Sequence, residues 1–175
     1  MRLKYFLLVS IPAILALSAS GQSRDEKYIA FIRKTFQETN SEQNLEQVRV
    51  ENEELTDEVP DGGVTLTGFF KGENLLKIEL WTGLSYGIYK IEYYFSGDSL
   101  IFVYATERHF RQSGDTLDHS KVDLIFEGRY YFKNENQISK STKGIWNSAN
   151  DREQSLIPDS KNYQKFLYTK KKNAS

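Results

Sequence analysis

One short phrase is written three times in this chain: Phe69-Phe70-Lys71-Gly72-Glu73-Asn74-Leu75-Leu76, Tyr94-Phe95-Ser96-Gly97-Asp98-Ser99-Leu100-Ile101, and Tyr131-Phe132-Lys133-Asn134-Glu135-Asn136-Gln137-Ile138. Each copy is an aromatic pair, a small polar cluster built on Gly or Asn, then a mostly apolar run, which is how a strand, a tight turn and a returning strand are encoded. Three hairpins in succession constrain the fold to an antiparallel meander. In the third copy Asn134 stands where the others have Gly72 and Gly97, and asparagine also tolerates a left-handed turn.

Around these turns the hydrophobic period is two, so alternate residues share a face. Val64, Leu66, Gly68 and Phe70 are predicted to look inward, with Thr65, Thr67 and Phe69 on the other face. The same orientation puts Tyr89, Ile91, Tyr93 and Phe95 inward, and Leu124, Phe126, Gly128, Tyr130 and Phe132 with them. Lys90, Glu92, Asp123, Glu127 and Arg129 then look outward. A three-residue loop at each turn places Leu76, Ile78, Leu80 and Ile138 inward, although a slip of one residue would exchange the faces. The run from Leu100 to Glu107 is apolar on both faces, which predicts a central strand covered on both sides and leaves its register open.

Upstream, Tyr28, Ile29, Ile32 and Phe36 recur at helical spacing between Arg24 and Glu38, with Ser23 as N-cap and Asp25 and Glu26 in the first turn. Val48 and Val50 alternate with charged neighbours as in a short edge strand, and Glu51 to Gly63 reads as an acidic loop. Downstream, periodicity is lost until Tyr163, Phe166, Leu167 and Lys170, which predict a short helix over 160–171 capped by Asp159 or Ser160. Tyr168 and Thr169 favour a last strand as the rival. The whole is an α+β domain, an N-terminal helix packed on an antiparallel meander of about six or seven strands.

The first residues read as an address. Arg2 and Lys4 precede an apolar stretch from Tyr5 to Leu17, and small residues Ser18, Ala19, Ser20 and Gly21 follow, as in a secretory signal peptide spanning 1–20. Pro12 interrupts the stretch, which falls short of the roughly 20 residues that span a bilayer, so no membrane span is expected after cleavage. The chain has no cysteine, which removes disulfides, thiol catalysis and thiolate metal sites, and also the acylated cysteine of a lipoprotein. Residues 21–175 are left as a single domain, with its core over about 24–140 and a C-terminal segment over 141–175. The formal net charge of −1, made more negative by removing Arg2 and Lys4, gives no general attraction to nucleic acid.

Few residues suggest chemistry. Gly83-Leu84-Ser85-Tyr86-Gly87 matches the G-x-S-x-G string of serine hydrolases, but that elbow needs a strand feeding a helix, whereas a strand follows here; both glycines read as turn residues. His109 and His119 flank a loop carrying Asp115, a weak candidate for a divalent ion without recognised ligand spacing. No glycine-rich loop joins a strand to a helix, so no cofactor is indicated. The outward aromatics Phe69, Tyr94 and Tyr131, with Trp81 and Tyr86 nearby, are the candidates for ligand or partner binding, unless a terminal helix covers them.

At Tyr93-Tyr94-Phe95-Ser96-Gly97-Asp98-Ser99-Leu100 the chain resembles MORN-variant β-hairpin repeats. It also resembles uncharacterised small secreted proteins of Gram-negative bacteria, particularly Bacteroidota, over about Tyr28 to Lys140. The resemblance implies a hairpin scaffold and supplies no catalytic residue. The expected function is non-catalytic binding of a protein, small-molecule or glycan partner in the periplasm or outside the cell. A hydrolase or metal-dependent enzyme and a structural envelope component are the alternatives.

Overall fold

The computed structural model describes residues 16–146 and 152–174, with side chains described over 24–146 and 153–173. Helix α1 (Ala16–Ser41) precedes seven strands: β1 (Glu46–Glu51), β2 (Val64–Lys71), β3 (Asn74–Leu84), β4 (Gly87–Ser96), β5 (Ser99–Ser113), β6 (Thr116–Lys133) and β7 (Asn136–Gly144). Helix α2 (Arg152–Ala174) closes the chain. The strands form one antiparallel sheet in sequence order, β1 to β7, so the fold is an α+β meander. Val48 and Val50 do lie on an edge strand, and most of the predicted signal peptide lies outside the described residues.

The three repeated phrases are three hairpins built alike. Lys71 pairs with Asn74, Ser96 with Ser99 and Lys133 with Asn136, so each loop holds two residues, one fewer than expected. Gly72 and Gly97 take the first loop position at φ +58°, as a type II′ loop requires, while Asn134 and Glu135 both have positive φ, as in type I′. Exchanging glycine for asparagine therefore changed the turn type and kept its length.

Each turn is followed by a bulge. Phe70 pairs with Leu75, Phe95 with Leu100 and Phe132 with Gln137, and one extra residue follows on the returning strand before pairing resumes: Leu76, Ile101 or Ile138. The extra residue turns two consecutive side chains to one face. Ile101 and Phe102 both join the cluster under α1, while Leu100, Val103 and Ala105 join the other core, which explains why this strand is apolar on both faces. Leu76 and Ile138 consequently lie on the α1 side and not with the inward set, whereas Ile78 and Leu80 do face inward. A further irregularity, with Glu107 opposite Phe126 but Arg108 opposite Leu124, turns Leu124 out of the inward set and leaves it exposed.

Each sheet face carries one helix. The inward set Leu66, Phe70, Tyr89, Ile91, Tyr93, Phe95, Phe126, Tyr130 and Phe132 packs against α2 through Leu156, Tyr163 and Leu167. Helix α1 covers the opposite face, the terminal-helix cover that the outward aromatics allowed for, and places Ile32, with Tyr28, Ile29 and Phe36, against Tyr94, Phe102 and Tyr131. Helix α1 also begins at Ala16, so Ser23 is interior to it and Asp25 and Glu26 are not in its first turn. Helix α2 is longer than the predicted 160–171 segment; it carries Pro158 in its second turn, and Ser160, far from capping it, is buried and donates to the Ile157 carbonyl at 2.8 Å. No last strand forms there. Ion pairs pin α2 to the sheet, Lys140 to Glu153 at 3.0 Å, Lys161 to Glu135 at 2.6 Å and Lys171 to Glu46. Leu156 and Leu167 are fully buried, each worth about 1.5–3 kcal/mol of transfer free energy, so packing dominates over the two exposed pairs of Lys140 and Lys161.

Candidate functional site

Helix α1 covers only the turn-proximal half of its sheet face. Its apolar stripe meets the row Tyr94, Phe102 and Tyr131, whose rings form a chain: Phe36 to Tyr94 at 4.9 Å, Phe36 to Phe102 at 5.5 Å, and Phe102 to Tyr131 at 5.0 Å. Asn40, on the last turn of α1, donates to the Tyr94 hydroxyl at 3.0 Å. Burial, aided by the charge of Glu92, pushes the Tyr94 phenol well above its ordinary value.

The next two rows of this face lie beyond the helix and are polar. By register, one row contains Thr67, Glu79, Glu92, Tyr104 and Arg129, and the next Thr65, Trp81, Lys90, Thr106 and Glu127. Glu79 and Glu92 stand directly opposite each other, and the charges are satisfied diagonally and along the strands by Lys90 and Arg129. Lys90 lies 2.8 Å from Glu79 and 3.2 Å from Glu92. Burial alone would lower the Lys90 pKa, but its hydrogen bond to Glu79 and the charge of Glu92 hold the ammonium above its ordinary value. Tyr104 donates to Glu127 at 2.7 Å and Arg129 lies 2.5 Å from the same carboxylate, which together hold Glu127 below the usual carboxylate range. The Arg129 guanidinium also sits 5.2 Å from the Tyr104 ring centroid. The lattice is thus held in place by its own contacts.

Where the edge of α1 meets this lattice there is a cleft of about 360 Å³. Its lining includes Ile32, Arg33 and Phe36 from α1, and Tyr104, Arg129 and Tyr131 from the sheet. A shallower depression of about 300 Å³ lies on β1 to β3, between Arg49, Thr65, Glu79 and Trp81.

The five aromatic candidates do not form one exposed row. Tyr94 and Tyr131 are buried under α1, Tyr131 contributing to the cleft lining, and Phe69 is half-buried beneath the Lys77 ammonium, 4.4 Å from its ring centroid. Trp81 lies half-buried in the shallow depression, and Tyr86 is exposed at the β3–β4 turn with its ring 4.9 Å from that of His109. Arg33, Tyr104 and Arg129 escaped the sequence reading as site residues. Arg129 was correctly placed on the outer face, but without the bulge after Leu100 nothing set Tyr104 beside it.

The remaining chemistry is dispersed. Ser85 lies exposed in a two-residue turn that enters β4, so no helix follows it. Gly83 and Gly87 are strand residues that flank the turn and do not make it. His109 is held 2.7 Å from Glu107, the His119 ring lies tilted at 56° with its centroid 4.4 Å from that of Phe110, and Asp115 sits at the tip of the β5–β6 hairpin. Among the described residues no group of three His, Asp or Glu side chains converges on one point.

No helix among the described residues is long and apolar enough to cross a membrane. No family model, no curated protein and no solved structure matches the chain. The class is therefore the one defined by the fold alone: a single antiparallel meander with one helix on each face, one of which leaves half its face open.

Proposed function

We propose that the protein is a non-catalytic binding protein, secreted or periplasmic, whose ligand sits in the cleft between α1 and strands β5 and β6. The observation that supports this reading is the half-covered sheet face: a concave site with aromatic walls beside a charge lattice already fixed by its own ion pairs. Preformed apolar clefts with a few oriented polar groups are the usual form of small-molecule sites. Preorganisation lowers the ordering cost of binding. A structural role through sheet edges fits less well, because edge strand β1 carries Glu46, Arg49 and Glu51 and edge strand β7 carries Lys140 and Lys143, charges that oppose edge pairing.

The test is native mass spectrometry of the tagged protein recovered under mild conditions from its source cells. Wild type is expected to carry a reproducible adduct, and Gln37→Trp, which adds an indole to the cleft lining at an exposed helix position, is expected to lose it without a change in melting temperature. The same adduct on both proteins, or none on either, would remove the cleft from consideration. Location is tested separately: the N-terminus of the protein recovered from the cell envelope or medium is expected near Gly21. An intact Met1 in that fraction counts against secretion by signal-peptide cleavage.

A further inference from the structure

We propose that the ligand of this cleft is a small amphipathic anion, a monocarboxylate or sulfonate with an apolar body. The inference rests on the binding reading above and adds the chemistry of the ligand. The apolar part follows from the walls: Ile32 and Phe36 face Phe102 and Tyr131 across a floor of ring contacts, and the volume lies at the lower end of the range for small-molecule sites.

The charge follows from the two guanidinium groups of the lining. Arg129 is held by Glu127 and by the Tyr104 face, so its orientation is set and its charge is answered within the protein. Arg33 is exposed on the same cleft and makes no ion pair among the described residues, although its helix neighbour Lys34 is engaged by Glu38 at 3.5 Å. Within the lining, Arg129 is answered by Glu127 and Arg33 by no carboxylate among the described residues, on a chain whose formal net charge is −1; Arg108 and Lys143, which flank Glu127 on the neighbouring strands, add positive charge just beyond the lining. The unanswered guanidinium of Arg33 is the place for one anionic group. A guanidinium fork matches a planar carboxylate or a sulfonate through paired N–H donors, and a polyanion would meet Glu127 with its second charge. An organic cation would face Arg33 and Arg129 together, and a ligand without an apolar body would leave the aromatic walls unused.

Two fluorescent probes of one ring system separate the contributions: anilinonaphthalene sulfonate, which carries the anion, and N-phenylnaphthylamine, which lacks it. The full-length folded protein, checked by a cooperative melt, is titrated with each. The sulfonate is expected to saturate at one site, to be displaced by decanoate, and to bind about tenfold more tightly than the neutral probe. Arg33→Gln, an exposed helix substitution, is expected to remove most of that difference while leaving the neutral probe's affinity unchanged. Equal affinity for the two probes, or an unchanged difference in Arg33→Gln, overturns the anion and leaves cleft binding standing. No saturable binding of either probe also overturns it, and the native-mass adduct then decides by itself whether the cleft holds a ligand.

Discussion

Replacing Gly87 with alanine is expected to destabilise the protein by about 3 kcal/mol and to lower its melting temperature by about 10 °C, whereas Ser85→Ala, two residues away, should change neither. Gly87 opens β4, where it pairs with Leu84 on one side and His109 on the other. A Cβ built there would lie 2.1 Å from the Arg108 carbonyl oxygen and 3.0 Å from the His109 Cα, and both obstacles are backbone. No rotamer change relieves such a contact, so β4 and β5 must separate where the Phe110 amide donates to the Tyr86 carbonyl at 3.0 Å. Ser85 is exposed, and its side chain makes no hydrogen bond among the described residues. Equal melting curves for the two variants would show that this strand end gives way freely. A hydrolase built on Ser85 requires the reverse ranking, with Ser85→Ala losing a turnover that Gly87→Ala partly keeps.

The period-two face of this fold was legible because Phe70, Tyr93, Phe95, Tyr130 and Phe132 recur in phase with each turn, and all are buried under α2. Which helix covers which face was not legible, since both faces carry aromatic rows and apolar periodicity ranks burial without naming the cover. The bulges escaped for a related reason. Leu75-Leu76 and Leu100-Ile101 are apolar pairs, so moving either member inward gives an equally hydrophobic face, and only the two-residue loop decides between them. The first two turns of α2 are not legible in the sequence, because Arg152 to Asp159 offers only Leu156 and Ile157 to the core and contains Pro158, a residue that argues against helix. Its buried line continues nonetheless, from Leu156 through Ser160 and Leu167 to Lys171.

The cleft was half legible. Periodicity placed Arg129 and Glu127 on the outer face, and the repeat drew attention to Tyr94 and Tyr131, but a ring pointing away from one core does not thereby face solvent. Helix α1 had an apolar stripe whose length, from Tyr28 to Phe36, could cover only part of a sheet face, and that geometric mismatch is the signal that an open half would remain. The same register that was left open also hid Glu107. Once Ile101 is recognised as the extra residue, Glu107 falls on the same face as Val103 and Ala105, inside the α2 core.

That carboxylate carries the second large expected effect. His109→Ala is expected to cost about 3 kcal/mol, while the double replacement Glu107→Met with His109→Phe should be close to neutral or stabilising. Glu107 is 0 % exposed and lies between Tyr89 and Phe126, both in contact with Trp146. One of its oxygens is 2.7 Å from His109 Nε2; the other, Oε2, has no hydrogen-bond partner among the described residues. Removing the imidazole leaves a buried carboxylate without that contact, and an unanswered buried charge is among the few single changes that cost several kcal/mol. Replacing both members with apolar groups of similar size removes the desolvation penalty together with the attraction that offsets it. Urea midpoints at unchanged slope measure both variants, and a His109→Ala midpoint within about 0.5 kcal/mol of wild type would mean that water or the backbone answers the carboxylate instead. A stabilised double variant has a further consequence. It would mean that the pair lowers stability where it stands, beside the exposed ring of Tyr86, and its retention would then have to be explained by what the two groups do, not by what they hold together.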